Sequence, residues 1–413
     1  MKKKIYVRGP VLSQSGYGEQ SRFALRALRS REDIFDIYIQ PINWGQTGWI
    51  WENTEFRDWI DSRIVETQIL LQQQKLQPDI SLQITIPNEF ERLCPVNIGY
   101  TAGIETSKVS PQWLEKGNMM NKILVVSNHA KNTYVGTVAQ ATNNNTGETF
   151  PYRLETPVEV VWESTPRNEP EPIEGFDLQC DSNMLMVSQM GPRKNYINAI
   201  SWWVEEFFDQ DVGLVVKCNT KNNSKIDAEF TEMTLKTILG RYPERKCKVI
   251  LLHGDLTSGQ MTWLYNHDKI KALVNISHGE GFGLPIFEAV REALPIITIP
   301  WAGQNDFIHH DGEGYFESVE YTLGPVKDHV VWDGVIEKDS MWAYADQGSY
   351  KMALRRCLKN YDTAKERALK LQQINSEKFS DEKLFDGFVK QIYEFEDPDA
   401  WLNELEDIVK EYE

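Results

Sequence analysis

Two glutamates eight positions apart, Glu280 and Glu288, sit in the stretch Asn275-Ile-Ser-His-Gly-Glu-Gly-Phe-Gly-Leu-Pro-Ile-Phe-Glu-Ala-Val290. An apolar run precedes it. Three alternate glycines, Gly279, Gly281 and Gly283, let a backbone come close to a ligand. Pro285 suits the first turn of a helix. The free N–H groups of such a turn favour an anion. Glu288 then falls about one turn into that helix, where its carboxylate can accept hydrogen bonds from two vicinal hydroxyls, as a ribose offers. A second basic-and-glycine loop, Met190-Gly-Pro-Arg-Lys-Asn195, follows another apolar run and brings Arg193 and Lys194. An anion at the helix start, with a carboxylate for vicinal hydroxyls, is the chemistry these residue types allow.

The unbroken string Glu280-Gly-Phe-Gly-Leu-Pro285, with Glu288, resembles the Glu-x7-Glu signature of retaining family 4 glycosyltransferases. Met186–Asn195 resembles the strand and loop that bring that family's pyrophosphate-binding lysine, here Lys194. Gln189 stands where the family often has an arginine, with Arg193 as its substitute. Leu252-His-Gly254 and Met261–Tyr265 resemble the stretch lining the base pocket. Ala302-Gly303 with Asp306 resembles the loop after the next strand. Ser15-Gly-Tyr-Gly18 resembles the glycine-rich loop that reaches donor phosphates and acceptor. Gly99–Thr106, followed by Pro111 and Trp113, is similar to a subset with a Glu-Thr pair.

The resemblance implies an α/β fold of the GT-B type, two Rossmann-like doubly wound domains facing a central cleft. It implies a donor site of Gly16, Gly18, Arg193, Lys194, Gly254, Glu280, Gly281, Phe282, Gly283, Leu284 and Glu288. Glu280, Lys194 and Glu105 are the expected catalytic set, with Glu105 on the acceptor side. The implied substrate is a nucleotide diphosphate sugar, UDP or GDP type undetermined, with no cofactor and no metal. The expected reaction is retaining transfer to a hydroxyl of a glycan, protein or small molecule. The Asn-rich, Glu-Thr-containing pattern also resembles phage glycosyltransferases, some of which decorate hydroxymethylated pyrimidines. On that reading modified DNA is the acceptor, Arg8, Arg22, Arg26 and Arg29 contact phosphates, and the compartment is the host cytoplasm. A sugar-nucleotide epimerase and an inactive nucleotide-sugar-binding protein are the alternatives of another class.

The elements that must position these residues follow from apolar periodicity. Short runs at Lys4–Arg8, Ile37–Gln40, Ile80–Ile84, Asn97–Tyr100, Ile123–Val126 and Val158–Val161 predict one set of strands. Runs at Met184–Val187, Val212–Val216, Val249–Leu252, Ala272–Ile276 and Ile296–Ile299 predict a second. Helical stretches separate most of them, which predicts parallel sheets covered on both faces. Three prolines and three glutamates in Pro166–Gly175 mark a linker. The expected organisation is an acceptor domain at 1–165, a linker at 166–175 and a nucleotide-sugar domain at 176–380. A helical segment at 381–413 packs back on the first domain through Phe385, Phe388, Ile392 and Trp401.

Bulk composition fits this. With 413 residues, two or three domains are expected. No apolar run is long enough to cross a membrane, and the basic start lacks the apolar core of a signal peptide. Five scattered cysteines suit reduced thiols in a cytoplasm. Acidic and basic residues balance in the first 160 positions, so the net charge of −17 resides downstream. Such acidity opposes nonspecific binding to DNA or anionic membranes. Asp209-Gln-Asp211 reads as a polar loop rather than a metal motif, as does Asp397-Pro-Asp399. His129 reads as structural.

Overall fold

The computed structural model describes residues 2–143 and 145–396. Trp401, Asp397 and Asp399 lie outside the described residues. Two six-stranded sheets organise the chain, each entirely parallel. The first holds β1 (Lys3–Gly9), β2 (Phe35–Pro41), β3 (Ile80–Ile84), β4 (Val96–Thr101), β5 (Lys122–Val125) and β6 (Val158–Val160), in the order β2-β1-β3-β4-β5-β6. The second holds β7 (Asn183–Gln189), β8 (Gly213–Asn219), β9 (Lys248–His253), β10 (Ile270–Asn275), β11 (Ile296–Thr298) and β12 (Glu317–Ser318), in the order β9-β8-β7-β10-β11-β12.

In both sheets the chain moves outward from the first strand, then returns to build on its other side. The reversal falls between β1 and β3 in one sheet and between β7 and β10 in the other. Loops leaving those strands diverge to opposite faces and open a crevice at the carboxyl edge, the usual ligand position in such sheets. The loop after β1 carries Ser15 and Gly16. Those after β7 and β10 carry Arg193, Lys194 and Glu280. The apolar runs form the strands for a plain reason: Ile5, Val7, Ile80, Leu82, Leu185 and Val215 are fully buried between helical layers.

The helix Gly16–Arg29 is capped by Ser15, whose hydroxyl accepts from the Gly18 N–H, and Phe23, Ala24, Leu25, Ala27 and Leu28 are buried. Gly18 has a packing role: a Cβ there would stand 1.9 Å from the Ser13 carbonyl oxygen. The last described helix, Asp381–Glu396, lies on Gly16–Arg29. Phe388 meets Phe23 edge-on at 5.8 Å and tilts on Tyr100 at 5.5 Å. Ser164 donates to Asp381 at 2.6 Å, and Lys122 donates to the Gln391 carbonyl at 2.9 Å.

Sequence periodicity did not show a hairpin of the second half, Tyr321–Pro325 with Met341–Ala345. Its connecting loop grips the first half: Asn88 donates to the Gly334 carbonyl at 2.8 Å, Lys108 pairs with Asp339, and Val335 is buried among Phe90, Trp113 and Leu114. Asp306 ties the halves again, accepting from Asn128 N–H and the Trp162 indole, each at 2.8 Å.

Candidate active site

A cleft of about 460 Å³ opens between the carboxyl edges of the two sheets. The first half lines it with Ser15, Gly16, Tyr17, Glu19, Trp44, Glu105 and Glu163. The second lines it with Gln189, Arg193, Lys194, Lys217, Asp255, Glu280, Gly281, Phe282, Gly283, Leu284 and Glu288.

Glu280 is the centre of the arrangement and is only 4% exposed. Lys194 Nζ donates to both of its carboxylate oxygens at 2.7 Å, Arg193 Nη1 donates to Oε2 at 3.1 Å, and Asn275 Nδ2 donates to Oε1 at 3.1 Å. Arg193 also donates to the Gly279 carbonyl at 2.7 Å and pairs with Glu105 at 3.2 Å, so a chain of alternating charge crosses the cleft. Burial pushes the Glu280 carboxyl up, but Lys194 and Arg193 outweigh it and hold its pKa at about 2. Ionised and acceptor-only, it can bind hydroxyls and cannot serve as a proton donor near neutrality. Burial and the neighbouring Arg193 lower the Lys194 pKa against the pull of Glu280.

Local sequence explains the placement. Asn195 takes the left-handed conformation (φ 51°) that turns β7's loop into the helix Tyr196–Glu206, and its side chain donates to the Ile276 carbonyl. The Arg193 carbonyl accepts from the His278 N–H at 2.8 Å, which locks the two loops together. Gly283 is left-handed (φ 98°) at the start of the helix Leu284–Arg291, with Pro285 in its first turn. Gly279 and Gly281 answer a different demand from the one expected. Their missing side chains make room for the other half, because a Cβ on Gly279 would lie 2.4 Å from the Glu105 carbonyl oxygen and one on Gly281 2.8 Å from that of Ala102.

Glu288 borders this cleft and a second cavity of about 710 Å³ that runs between Gly16–Arg29 and the helix Ser258–Asn266. Its two oxygens accept from Thr165 and Tyr265, each at 2.9 Å. Burial raises its pKa against Arg291 and those two hydroxyls. Leu256, Met261 and Tyr265 line the second cavity beside it.

Two residues expected at the donor do not reach the cleft. Gly18 is inside its helix, as described. Gly254 is a left-handed turn residue (φ 103°) packed on Asn223, and its neighbour Asp255 lines the cleft instead. Asp306 is taken up by the tie between the halves.

The arginines expected to meet DNA phosphates are engaged by protein. Arg22 is 5% exposed and donates to the Val11 and Ser13 carbonyls and to Glu19. Arg26 donates to the Ser164 carbonyl. Arg29 pairs with Glu55 and covers Trp59, and Arg8 reaches Glu89 and Glu91. Arg22, Arg26 and Arg29 line the second cavity, and Arg8 stands apart from them on β1.

Several cleft residues carry no motif in the sequence. Trp44 packs on Tyr17, ring centres 4.4 Å apart. Glu163, 4% exposed, has its pKa pushed up to about 8 by burial and by Glu19. Lys217 interrupts an apolar strand, the one signal in the sequence that could have marked it. Asp209 and Asp211 lie in a loop away from the cleft, where Asp211 accepts from Cys180.

No protein-family model and no curated protein matches the chain. Among solved structures it is similar to HepE of Anabaena in complex with UDP and glucose, with a TM-score of 0.58 and 11% identity, covering 95% of this chain and 100% of that one. It is also similar to sucrose-phosphate synthase of Thermosynechococcus elongatus, with a TM-score of 0.60 and 12% identity over 95% and 98% of the two chains. A third is OtsA, with a TM-score of 0.56 and 9% identity over 96% and 99%. At such identities the likeness concerns the fold, which is GT-B.

Proposed function

We propose that the protein is a retaining glycosyltransferase that moves a sugar from a nucleotide diphosphate sugar to an acceptor hydroxyl. The observation that carries this reading is Glu280, ionised and held under Lys194 and Arg193, beside the start of the helix Leu284–Arg291 at the crevice of the second sheet. Lys194 and the backbone N–H groups at Leu284 face the position where charge develops as the anomeric carbon parts from the β-phosphate oxygen. Aimed charges of this kind lower such barriers by several kcal/mol in a water-poor cleft. Glu280 accepts hydroxyls of the donor sugar, and Glu288 those of the ribose. The acceptor oxygen bonds the anomeric carbon on the face the phosphate leaves, and its proton passes to that phosphate. Glu105, on the first half, stands on the acceptor side. HepE holds UDP and glucose in its structure, so UDP sugars are the first donors to try.

The test is release of nucleoside diphosphate from UDP-glucose, UDP-N-acetylglucosamine, UDP-galactose and GDP-mannose, with and without mixed glycan acceptors. Turnover with at least one donor is expected. No binding and no turnover with any of them overturns the reading.

Replacing Glu288 by alanine removes charge-assisted bonds to the ribose, worth about 1.5–3 kcal/mol. Donor affinity should fall roughly ten- to a hundredfold in calorimetry, and equal affinity would take Glu288 out of the donor site. Transfer should also survive EDTA, because lysine and helix start supply the positive charge. Activity lost to EDTA and recovered with manganese would show the opposite.

A further inference from the structure

Lys217 stands near the carboxyl end of β8, in register with Val187 of β7. The strand is otherwise apolar up to this point: Leu214, Val215 and Val216 are each at most 1% exposed. The lysine side chain lines the cleft with Gln189, Lys194 and Glu288. Its surroundings differ from those of the other two cleft cations. Arg193 and Lys194 are already matched by Glu105 and Glu280. No hydrogen bond or salt bridge joins the Lys217 ammonium to any described residue. Burial depresses its pKa, and the fields of Asp255 and Glu288 only partly offset this. An ammonium partly withdrawn from water without a close partner carries a desolvation cost, and a charged group kept in that position inside a cleft is a candidate for ligand binding.

The end of β7 offers no charge of its own. Gln189 is neutral, and its amide is spent on the Thr220 carbonyl at 2.9 Å. A diphosphate carries more negative charge than Lys194, already paired with Glu280, can balance. We propose that Lys217 binds the diphosphate of the donor as its second cation, from the strand next to the one that leads into Lys194. This rests on the donor reading given above. It assigns to β8 a contact that the sequence suggested for Arg193, which the structure commits to Glu105 and Glu280.

The experiment uses the full chain and calorimetry with UDP, GDP, ADP and CDP. The diphosphate that wild type binds most tightly is then compared with its nucleoside on Lys217→Met and Lys217→Arg, alongside melting temperatures without ligand. Lys217→Met should weaken the diphosphate about ten- to a hundredfold and leave the nucleoside unchanged. Its melting temperature should equal or exceed that of wild type, since a charge without a close partner leaves a partly buried position. Lys217→Arg should recover most of the affinity. Unchanged diphosphate affinity in Lys217→Met, or an equal loss for diphosphate and nucleoside, overturns the assignment. A fall in melting temperature with no recovery by arginine also overturns it, by showing a packing role. Wild type binding none of the four diphosphates is a different failure, that of the donor reading itself.

Discussion

Glu280→Gln should lose transfer by about 10²–10³ in kcat/KM, the scale of removing one aimed charge from such a site, and should also lose stability. The two effects share a cause. The carboxylate is buried and neutralises Lys194 and, in part, Arg193. Removing one partner of a buried pair leaves the other unbalanced, at a cost of about 3–5 kcal/mol. The lower end applies here, because Arg193 keeps Glu105 and both cations face the cleft. Denaturant midpoints measure this. The double variant Glu280→Gln, Lys194→Met should regain stability and stay inactive, since the orphaned ammonium is gone with the chemistry. The same pair sets an acid limb. The folded pKa of Glu280, about 2, lies below that of a carboxyl in the unfolded chain. Its stabilisation is therefore complete above roughly pH 4.3 and disappears as pH falls toward 2. A flat acid limb in Glu280→Gln, relative to wild type, is the matching observation. Wild-type turnover in Glu280→Gln would remove it from the reaction.

Ending the chain before Asp381 should abolish the native state rather than loosen it. Leu384, Phe388, Val389 and Ile392 are each at most 5% exposed, against Phe23 and Tyr100 among others. At about 1.5–3 kcal/mol per buried side chain their loss approaches the roughly 5–15 kcal/mol that holds a domain folded. The Gly16–Arg29 helix, which carries Gly16 and Glu19 to the cleft, would lose its cover. Thermal melts should lose cooperativity, and a dye that binds exposed apolar surface should brighten. A truncated chain with wild-type melting temperature and turnover would disprove the dependence. Phe388→Ala alone should cost about 3–5 kcal/mol.

The sequence by itself determined the parallel sheets and the core of the cleft. Continuous apolar runs such as Leu214–Val216 and Ala272–Val274 have no polar face to give water, as inner strands of a covered parallel sheet require. The string from Glu280 to Glu288 carries its chemistry in local spacing, and Lys194 does the same at the end of its own loop. What depends on partners far along the chain was left to the tertiary structure. Glu280 and Lys194 are 86 positions apart and meet because β7 and β10 are neighbours. Arg22 and Arg26 read as part of a basic face only until their helix is packed, when backbone carbonyls and Glu19 accept from them. Asp306 and Gly254 sit within recognisable stretches, yet one is drawn into a tie with Trp162 and Asn128 and the other into a turn. Lys217 shows the reverse: its strand marks no motif, and only the enclosure of the cleft, with Glu105 and Glu280 already matched to Arg193 and Lys194, leaves it without a close partner. Spacing along the chain fixes what a residue can do, whereas desolvation and the competing partners that decide what it does arise only when distant segments pack.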